Sequence, residues 1–415
     1  MDILIKRATI IHRNSEFHLK VKDVLISKGT IKNISDEIDT TNARVITGEK
    51  LFCCIGLIDI GTHSGEPGYE HRETIKTLTS SALAGGYTAL AVFPNNKPTI
   101  QTKADIRYLA EHPDRQGVSI YPIGVLSKDT SGEDIAEYMD MKSAGAIAFS
   151  DGMKSVQDTS LLDRALLYAS QAGVSLIHHP DDHFLSAGGE MNEGIMSTSL
   201  GMKGIPDIAE LHTIQRDILL TEYNETGIIE HGISSARSVK VIHHAQKNNS
   251  KISATVPYLN LIFTDEDLND FDTNLKVIPV LRSPADRLKL VEGIKDGTIC
   301  AIVSNHTPLD DESKNLEFPY AKPGAIGLET CLSACITYLS DLIDLPVLIH
   351  SLTVAPRELL NIHMPHIKVG TKADLCIFDT ESLWICDKEH IKSKSSNSPF
   401  LGKELKGKVL ATICG

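Results

Sequence analysis

The sequence of 415 residues has few basic clusters: no run of Lys or Arg exceeds two residues, and the formal net charge is −13. Binding to nucleic-acid phosphates needs clustered Lys and Arg, so this balance argues against a nucleic-acid groove. The apolar run 51–58 is far shorter than the ~20 residues that cross a bilayer. The N-terminus lacks the basic-then-apolar order of a secretory signal. We therefore expect a cytoplasmic protein with neither nucleic acid nor membrane as a partner.

Paired cysteine motifs are also missing. The eight cysteines are scattered through apolar segments such as 51–55, and Cys331 and Cys335 stand four residues apart without a second pair or a nearby His. Such a distribution predicts buried free thiols, and neither a disulfide framework nor a zinc knuckle.

The chain has short alternating strands at both ends and a repeating strand–helix pattern between them. Eight short apolar runs, each followed by an amphipathic segment, predict a parallel barrel. The predicted barrel strands are 54–60, 88–93, 118–123, 145–149, 174–178, 227–230, 252–256 and 299–304. A doubly wound open sheet is the alternative, but it calls for a Gly-rich phosphate turn after the first strand, and none is present.

The predicted fold class is α/β, a TIM (β/α)8 barrel beside a small β-sandwich domain built by both termini. We place the N-terminal part of the sandwich at residues 1–53, the barrel at 54–364, and the C-terminal part of the sandwich at 365–415. Strands predicted at 373–378, 383–386 and 409–414 supply the C-terminal part.

Nine short motifs occur in order along most of the chain. They are Gly56–Gly68, Phe93–Pro98, Phe149–Gly152, His179–Asp182, Gly204–Pro206 with Glu210, Pro279–Arg282, Ser304–Pro308, Gly324–Glu329 and Ser395–Phe400. In this order and spacing they resemble the motifs of dihydroorotases, which are amidohydrolases. The resemblance implies a barrel hydrolase of pyrimidine biosynthesis that interconverts carbamoyl-aspartate and dihydroorotate. It also implies zinc, because a metal-bound water supplies hydroxide near neutral pH while an Asp after strand eight moves the proton.

Three positions that carry this chemistry in the resembling family hold other residues here. Gly61 stands where the first His of the His-x-His motif belongs, Gly232 where the strand-six His belongs, and Asn305 where the catalytic Asp belongs. A carboxamide cannot take up a proton as a carboxylate does. If each loss costs at least the 10–100-fold typical of a lost supporting partner, metal affinity or activity falls by roughly a thousandfold to a millionfold, or about 4–8 kcal/mol.

Contacts to the substrate are reduced as well. Gly65 replaces the Arg that would grip the substrate carboxylate, Ile278 replaces an Asn, and Leu309 replaces a His. Asn95 remains as a substrate-binding residue. With Asn305 in place of the acid, the sequence predicts no catalytic residue.

His63, Asp151 and His179 remain as predicted metal ligands, because three protein ligands are the usual share of a catalytic zinc. The alternative is that they are hydrogen-bonded polar groups in a collapsed barrel mouth. His231 could replace the ligand lost at Gly232 if strand six slips by one residue, although strand alternation aims it at the other face. His178, which precedes His179, is expected to pack in the barrel wall.

Two functions follow as hypotheses. The first is a catalytically inactive dihydroorotase-like protein, a pseudoenzyme that scaffolds aspartate transcarbamoylase, since some members of the resembling family lack zinc ligands and assemble with that enzyme. The second is an active amidohydrolase that opens a cyclic amide with a reduced zinc site. The resemblance also implies a homodimer. A small-molecule sensor is a third reading that no residue supports.

Overall fold

The computed structural model describes residues 2–415. Its strands are β1 (Asp2–Ile11), β2 (Val21–Ser27), β3 (Thr30–Ser35), β4 (Ala43–Ile46), β5 (Leu51–Ile55), β6 (Leu57–Thr62), β7 (Tyr87–Val92), β8 (Ser119–Gly124), β9 (Ala148–Phe149), β10 (Ser175–His178), β11 (Met191–Asn192), β12 (Gly204–Ile205), β13 (Gly227–Glu230), β14 (Lys251–Pro257), β15 (Ala301–Val303), β16 (Asp374–Ile385) and β17 (Glu404–Cys414).

Eight parallel strands form a nearly closed barrel in the order β15-β14-β13-β10-β9-β8-β7-β6. Strands β6 and β7 are buried along their whole length, which explains why they read as continuous apolar runs. Asp59 on the first barrel strand accepts hydrogen bonds from the backbone N–H of Ser304 (2.6 Å) and from its hydroxyl (2.7 Å), just after the last strand. These bonds join the two ends of the barrel sheet, and the predicted TIM barrel is confirmed.

Helices alternate with the barrel strands and cover them. The α-helices are α1 (Ile75–Ala84), α2 (Lys103–Ala110), α3 (Tyr138–Ser143), α4 (Thr159–Ala172), α5 (His183–Ser186), α6 (Ile195–Leu200), α7 (Asp207–Asn224), α8 (Ala236–Lys247), α9 (Tyr258–Ile262), α10 (Pro284–Asp296), α11 (Asp311–Lys314), α12 (Cys331–Leu339) and α13 (Leu345–Leu359). Helix α4 shows how the sequence sets the two ends of a helix. The Asp158 side chain accepts from the N–H groups of Ser160 and Leu161 at its start, and Gly173 ends it in the left-handed conformation.

Short 3₁₀ turns complete the inventory of elements. They lie at Pro113–Arg115, Lys128–Thr130, Asp265–Leu268 and Thr273–Leu275. Among the described residues, no helix is long and apolar enough to cross a membrane.

Both termini build one seven-stranded sheet beside the barrel, in the order β17-β16-β5-β1-β2-β3, with β4 paired to β1. The central strand β5 is parallel to β1 and antiparallel to β16, so that Cys53 is paired with Ile10 on one side and Ile377 on the other. The sequence predicted two C-terminal strands at 373–378 and 383–386. They form the single strand β16, whose pairing with β17 shifts register between Asp379 and Leu383.

The cysteines fit this packing. All eight are free thiols, and six of them are buried. Burial raises the pKa of Cys53 above its usual range, so that this thiol stays protonated and packs as a small apolar side chain.

Candidate functional site

The singled-out residues of the barrel gather at the C-terminal ends of its strands. His63 follows β6, Asn95 follows β7, Asp151 follows β9, His179 follows β10 and Asn305 follows β15. This is the end of a (β/α)8 barrel where active sites are built. We call this end the barrel mouth.

Gly61 lies at an irregularity in the first barrel strand. The pairing between β6 and β7 shifts register between Ile60 and Thr62, and Gly61 has a φ of 89°. A Cβ atom on Gly61 would lie 2.7 Å from Cε1 of His231, 2.8 Å from its Nε2 and 2.7 Å from Cε2 of Phe93. Side chains rarely adopt this φ, and the space is already filled. A His at position 61 would therefore need a strained backbone and a shift of the His231 and Phe93 rings.

His231 supplies the imidazole that fills this space. It follows β13, its ring packs edge-on against Phe93 with centroids 5.0 Å apart, and its Nδ1 lies 3.2 Å from the hydroxyl of Thr255. Its Nε2 is buried and has no hydrogen-bond partner. Burial lowers the pKa of His231 to about 3, with smaller contributions from His179 and His63, so the ring is neutral near pH 7. His231 therefore lies in the barrel mouth, beside Gly61 and Phe93.

His179 and His63 are the other two imidazoles of the mouth. Nδ1 of His179 lies 3.1 Å from the carbonyl oxygen of His231. Since a carbonyl can only accept, Nδ1 carries the proton and Nε2 keeps its lone pair, the form that a metal ligand needs. Burial lowers the pKa of both His179 and His63, to about 4 for His63, and neighbouring histidines oppose protonation further. Both rings are therefore neutral near pH 7.

The carboxylate of Asp151 is occupied by protein donors. Its Oδ1 accepts from the backbone N–H of Leu126 (3.0 Å) and of Ser127 (2.9 Å), and its Oδ2 accepts from the Ser127 hydroxyl. Burial raises the pKa of Asp151, while these three donors oppose that rise. Asn95 donates to the Asp151 carbonyl oxygen over 3.0 Å, and its own Oδ1 is buried without a partner. Asp151 thus anchors the loop after β8.

Asn305 is directed at a neighbouring loop. It has a φ of 49°, and its amide donates to the carbonyl oxygen of Ile278 over 2.9 Å. Gly65 and Gly232 also have positive φ, 69° and 75°. A Cβ atom on Gly65 would lie 2.5 Å from the carbonyl oxygen of Glu73, so the Arg that the resembling family has there would need a different backbone.

Glu210 and Arg282, which belong to two of the nine motifs, form a buried hydrogen-bond network at this end of the barrel. The Glu210 carboxylate accepts from the backbone N–H of Ser234 and of Ser235, each at 3.0 Å. Arg282 donates to the Ser234 hydroxyl (2.8 Å) and to Oδ1 of Asn192 (3.1 Å). These bonds tie α7, the segment after β13 and the loop before α10 together, which is a structural role.

One group among the described residues has the spacing of a metal site, and it lies outside the predicted set. His178, Asp217 and Glu230 place ligand atoms within 4.8 Å of one another, all buried. His178 uses both ring nitrogens already: Nε2 accepts from the Val156 N–H at 3.0 Å, and Nδ1 lies 2.6 Å from Asp217 Oδ2. Since one nitrogen of a neutral ring must carry the proton, Nδ1 donates and offers no lone pair. This group is a hydrogen-bond network in the barrel wall, where the sequence placed His178.

Comparison with known proteins decides the family. The chain is 39% identical over 397 residues to a dihydroorotase of Acetivibrio thermocellus, covering 95% of this chain and 93% of that protein. It belongs to the dihydroorotase-like family of amidohydrolases. A family described as Dihydro-orotase-like matches residues 50–237. A dihydroorotase of Pelotomaculum thermopropionicum is 39% identical over 420 residues, covering 100% of this chain and 97% of that protein.

Solved structures support the fold of this dihydroorotase-like protein. An L-hydantoinase from Arthrobacter aurescens superposes with a TM-score of 0.85 and 22% identity, covering 100% of this chain and 97% of that one. At this identity the likeness concerns the fold: a barrel with a sheet domain formed by the termini.

The donor set of the mouth does not fit a zinc centre. Within residues 2–415, neither His63, Asp151 and His179 nor any trio that includes His231 offers ligand atoms within 4.8 Å of one another. Tetrahedral zinc bonds of about 2.0–2.2 Å would need such atoms much closer together. The Asp151 carboxylate already accepts from three protein donors, and an imidazole lies in the place beside Gly61. The ligand assignment from the sequence stays a prediction.

Sequence reasoning alone did not find several residues that shape the mouth. Thr255 and Phe93 hold His231, and Asp59 joins the ends of the barrel. The sequence signal is a Gly at position 61 together with a His at position 231, directly before Gly232. The close approach of Gly61 and His231 appears only in three dimensions.

Proposed function

We propose that this chain is a catalytically inactive dihydroorotase-like protein that scaffolds aspartate transcarbamoylase, the preceding enzyme of pyrimidine biosynthesis. The observation that carries the first half of this proposal is the filled mouth. His231 occupies the space beside Gly61, and the amide of Asn305 is bonded to Ile278. At position 305, directly after β15, a carboxamide stands where a carboxylate would accept the proton that hydrolysis of an amide requires.

The scaffolding half rests on what the chain retains. Two residues of the motifs, Glu210 and Arg282, serve as buried framework, as does Asp59 of the first strand, and the relatives align over almost the whole chain. A protein that acts only as a structural partner needs a stable fold, and it does not need the catalytic groups that are replaced here.

Co-elution tests the scaffold directly. The purified chain is mixed with aspartate transcarbamoylase of the same cell at micromolar concentration and passed over a sizing column. We expect a joint peak, and transcarbamoylase that is more stable or more active in the mixture. Separate elution, with full transcarbamoylase activity in the enzyme alone, would contradict the scaffold.

A second candidate is an active zinc-dependent amidohydrolase that opens dihydroorotate or another cyclic amide. The neutral form of His179, with a free lone pair on Nε2, favours this candidate, as do relatives named dihydroorotase at 39% identity. A single metal on Asp151 and His179 would use the lone pair that Oδ2 of Asp151 keeps beside the Ser127 hydroxyl.

An assay separates the two candidates. Hydrolysis of dihydroorotate is followed with added zinc and again with a chelator. The inactive protein gives only the buffer rate under both conditions. Turnover above the buffer rate that the chelator abolishes establishes the second candidate.

A further inference from the structure

The barrel mouth contains the imidazole of His231, which stands one residue before the position of the family's strand-six His. Strands β6 and β13 are not neighbours in the barrel, because β14 and β15 lie between them on one side and four strands on the other. The His231 ring nevertheless lies so close to Gly61 that a Cβ atom there would stand 2.7 Å from its Cε1. His231 therefore reaches across the lumen from the sixth strand to the first.

We propose that His231 is a resident plug of the barrel mouth: its ring takes the place left by the missing side chain at position 61 and holds the strand ends together without a metal ion. This inference deepens the proposed function and concerns the same site. Gly61 and His231 then form a coupled pair, in which each requires the identity of the other.

Three contacts argue for a plug over a passive neighbour. Phe93 packs edge-on against the ring, the Thr255 hydroxyl lies beside its Nδ1, and the His231 carbonyl oxygen accepts from Nδ1 of His179. The backbone N–H of His231 also donates to the His178 carbonyl oxygen over 2.7 Å. Residues in or directly after β6, β7, β10 and β14 thus meet at one ring or at its own backbone.

Two further features favour filling of the lumen over metal ligation. Nε2 of His231 is buried and lies 2.8 Å from the place that a Cβ atom on Gly61 would take. Gly232, where the family has its ligand, has a φ of 75°, and a Cβ atom there would lie 3.2 Å from Cδ of Pro279. Restoring the family's His at position 61 or 232 is therefore opposed by the backbone at both positions.

A double-mutant cycle on the full chain tests the pairing. The variants are Gly61→Ala, His231→Ala and the double variant, compared by thermal unfolding. Strain from the positive φ at Gly61 is present in both backgrounds and cancels, which leaves the contact with His231. We expect Gly61→Ala to lower Tm by about 2 °C or more beyond its effect in the His231→Ala background.

Gly145→Ala is the matched control. Gly145 has a φ of 112° and no atom within 4 Å of an added Cβ. Gly145→Ala should lower Tm by the same amount in the wild-type chain and in the His231→Ala variant. Equal costs for Gly61→Ala in the two backgrounds would overturn the pairing, whatever the chain proves to do with dihydroorotate or transcarbamoylase.

Chemical rescue provides the second readout. His231→Ala leaves a ring-sized cavity, so millimolar imidazole should raise its Tm while leaving wild type and the exposed-site variant His244→Ala unchanged. An unresponsive His231→Ala, with a Tm equal to wild type, would contradict the plug. If His231→Ala fails to fold, His231→Gln retains part of the volume and replaces it in the cycle.

Discussion

At the scale of single residues, the barrel mouth is defined by which polar atoms are already bonded. Asp151 accepts from three protein donors, and the Asn305 amide donates to a carbonyl oxygen, so both side chains are held in place by the protein. The three histidines of the mouth are neutral because burial opposes their charge. The mouth is therefore a packed layer of neutral rings near pH 7.

The neutral ring of His231 predicts sensitivity to acid. The pKa of His231 is lowered in the folded state from 6.5 to about 3, so the unfolded chain binds the extra proton more tightly. The stability from this group is present above pH 6.5 and is lost as the pH falls toward 3. At about 1.36 kcal/mol for each pKa unit, the contribution is on the order of 5 kcal/mol once the pH has fallen to 3.

Urea unfolding between pH 7 and pH 4.5 measures this effect. His231→Gln, which cannot titrate, should lose less unfolding free energy over this range than wild type. His244→Gln, at an exposed position, should follow wild type. An identical pH dependence for His231→Gln and wild type would show that His231 does not titrate as described.

At the scale of elements, the strand pattern could be predicted from the sequence and the site geometry only in part. The eight barrel strands were located within a few residues because buried parallel strands read as continuous apolar runs. The first was predicted from residue 54, whereas β5 continues to Ile55 in the terminal sheet and β6 begins at Leu57. The bulge at Gly61 leaves no periodic signal, so the reach of His231 across the lumen could not be predicted.

The buried carboxylate of Asp59 allows a prediction of how much the closed barrel depends on one side chain for its stability. It is fully buried, and it accepts hydrogen bonds from the Thr62 hydroxyl over 2.5 Å and from both the backbone N–H and the hydroxyl of Ser304. Asp59→Ala leaves the Ser304 N–H buried without an acceptor, which costs about 1–3 kcal/mol besides the lost bonds. Urea unfolding should show this loss, with the exposed substitution Asp39→Ala as control. Equal midpoints for the two variants would contradict this role of Asp59.

At the scale of the whole molecule, the family and the fold are established while the chemistry is proposed. Relatives at 39% identity align over the full chain, so the barrel and the terminal sheet could be predicted from motif order alone. The glycines at 61, 65 and 232 could be read as lost ligands and contacts. Their positive φ, which prevents simple restoration, depends on the three-dimensional backbone.

Because the chain's own side chains fill the barrel mouth, we expect its thermal stability not to depend on metal ions. A ligand that binds the folded state raises Tm by mass action, and its removal lowers it. We expect neither EDTA nor added zinc to move the Tm of the full chain. A fall in Tm with EDTA that equimolar zinc reverses would contradict a mouth closed by side chains.

Zinc content tests the central claim most directly. The untagged chain is purified without chelators in zinc-supplemented buffer, dialysed, and analysed for metal per polypeptide. The filled mouth predicts far less than one zinc per chain. One or two zinc ions per chain, lost when His63 and His179 are replaced by Ala, would contradict it.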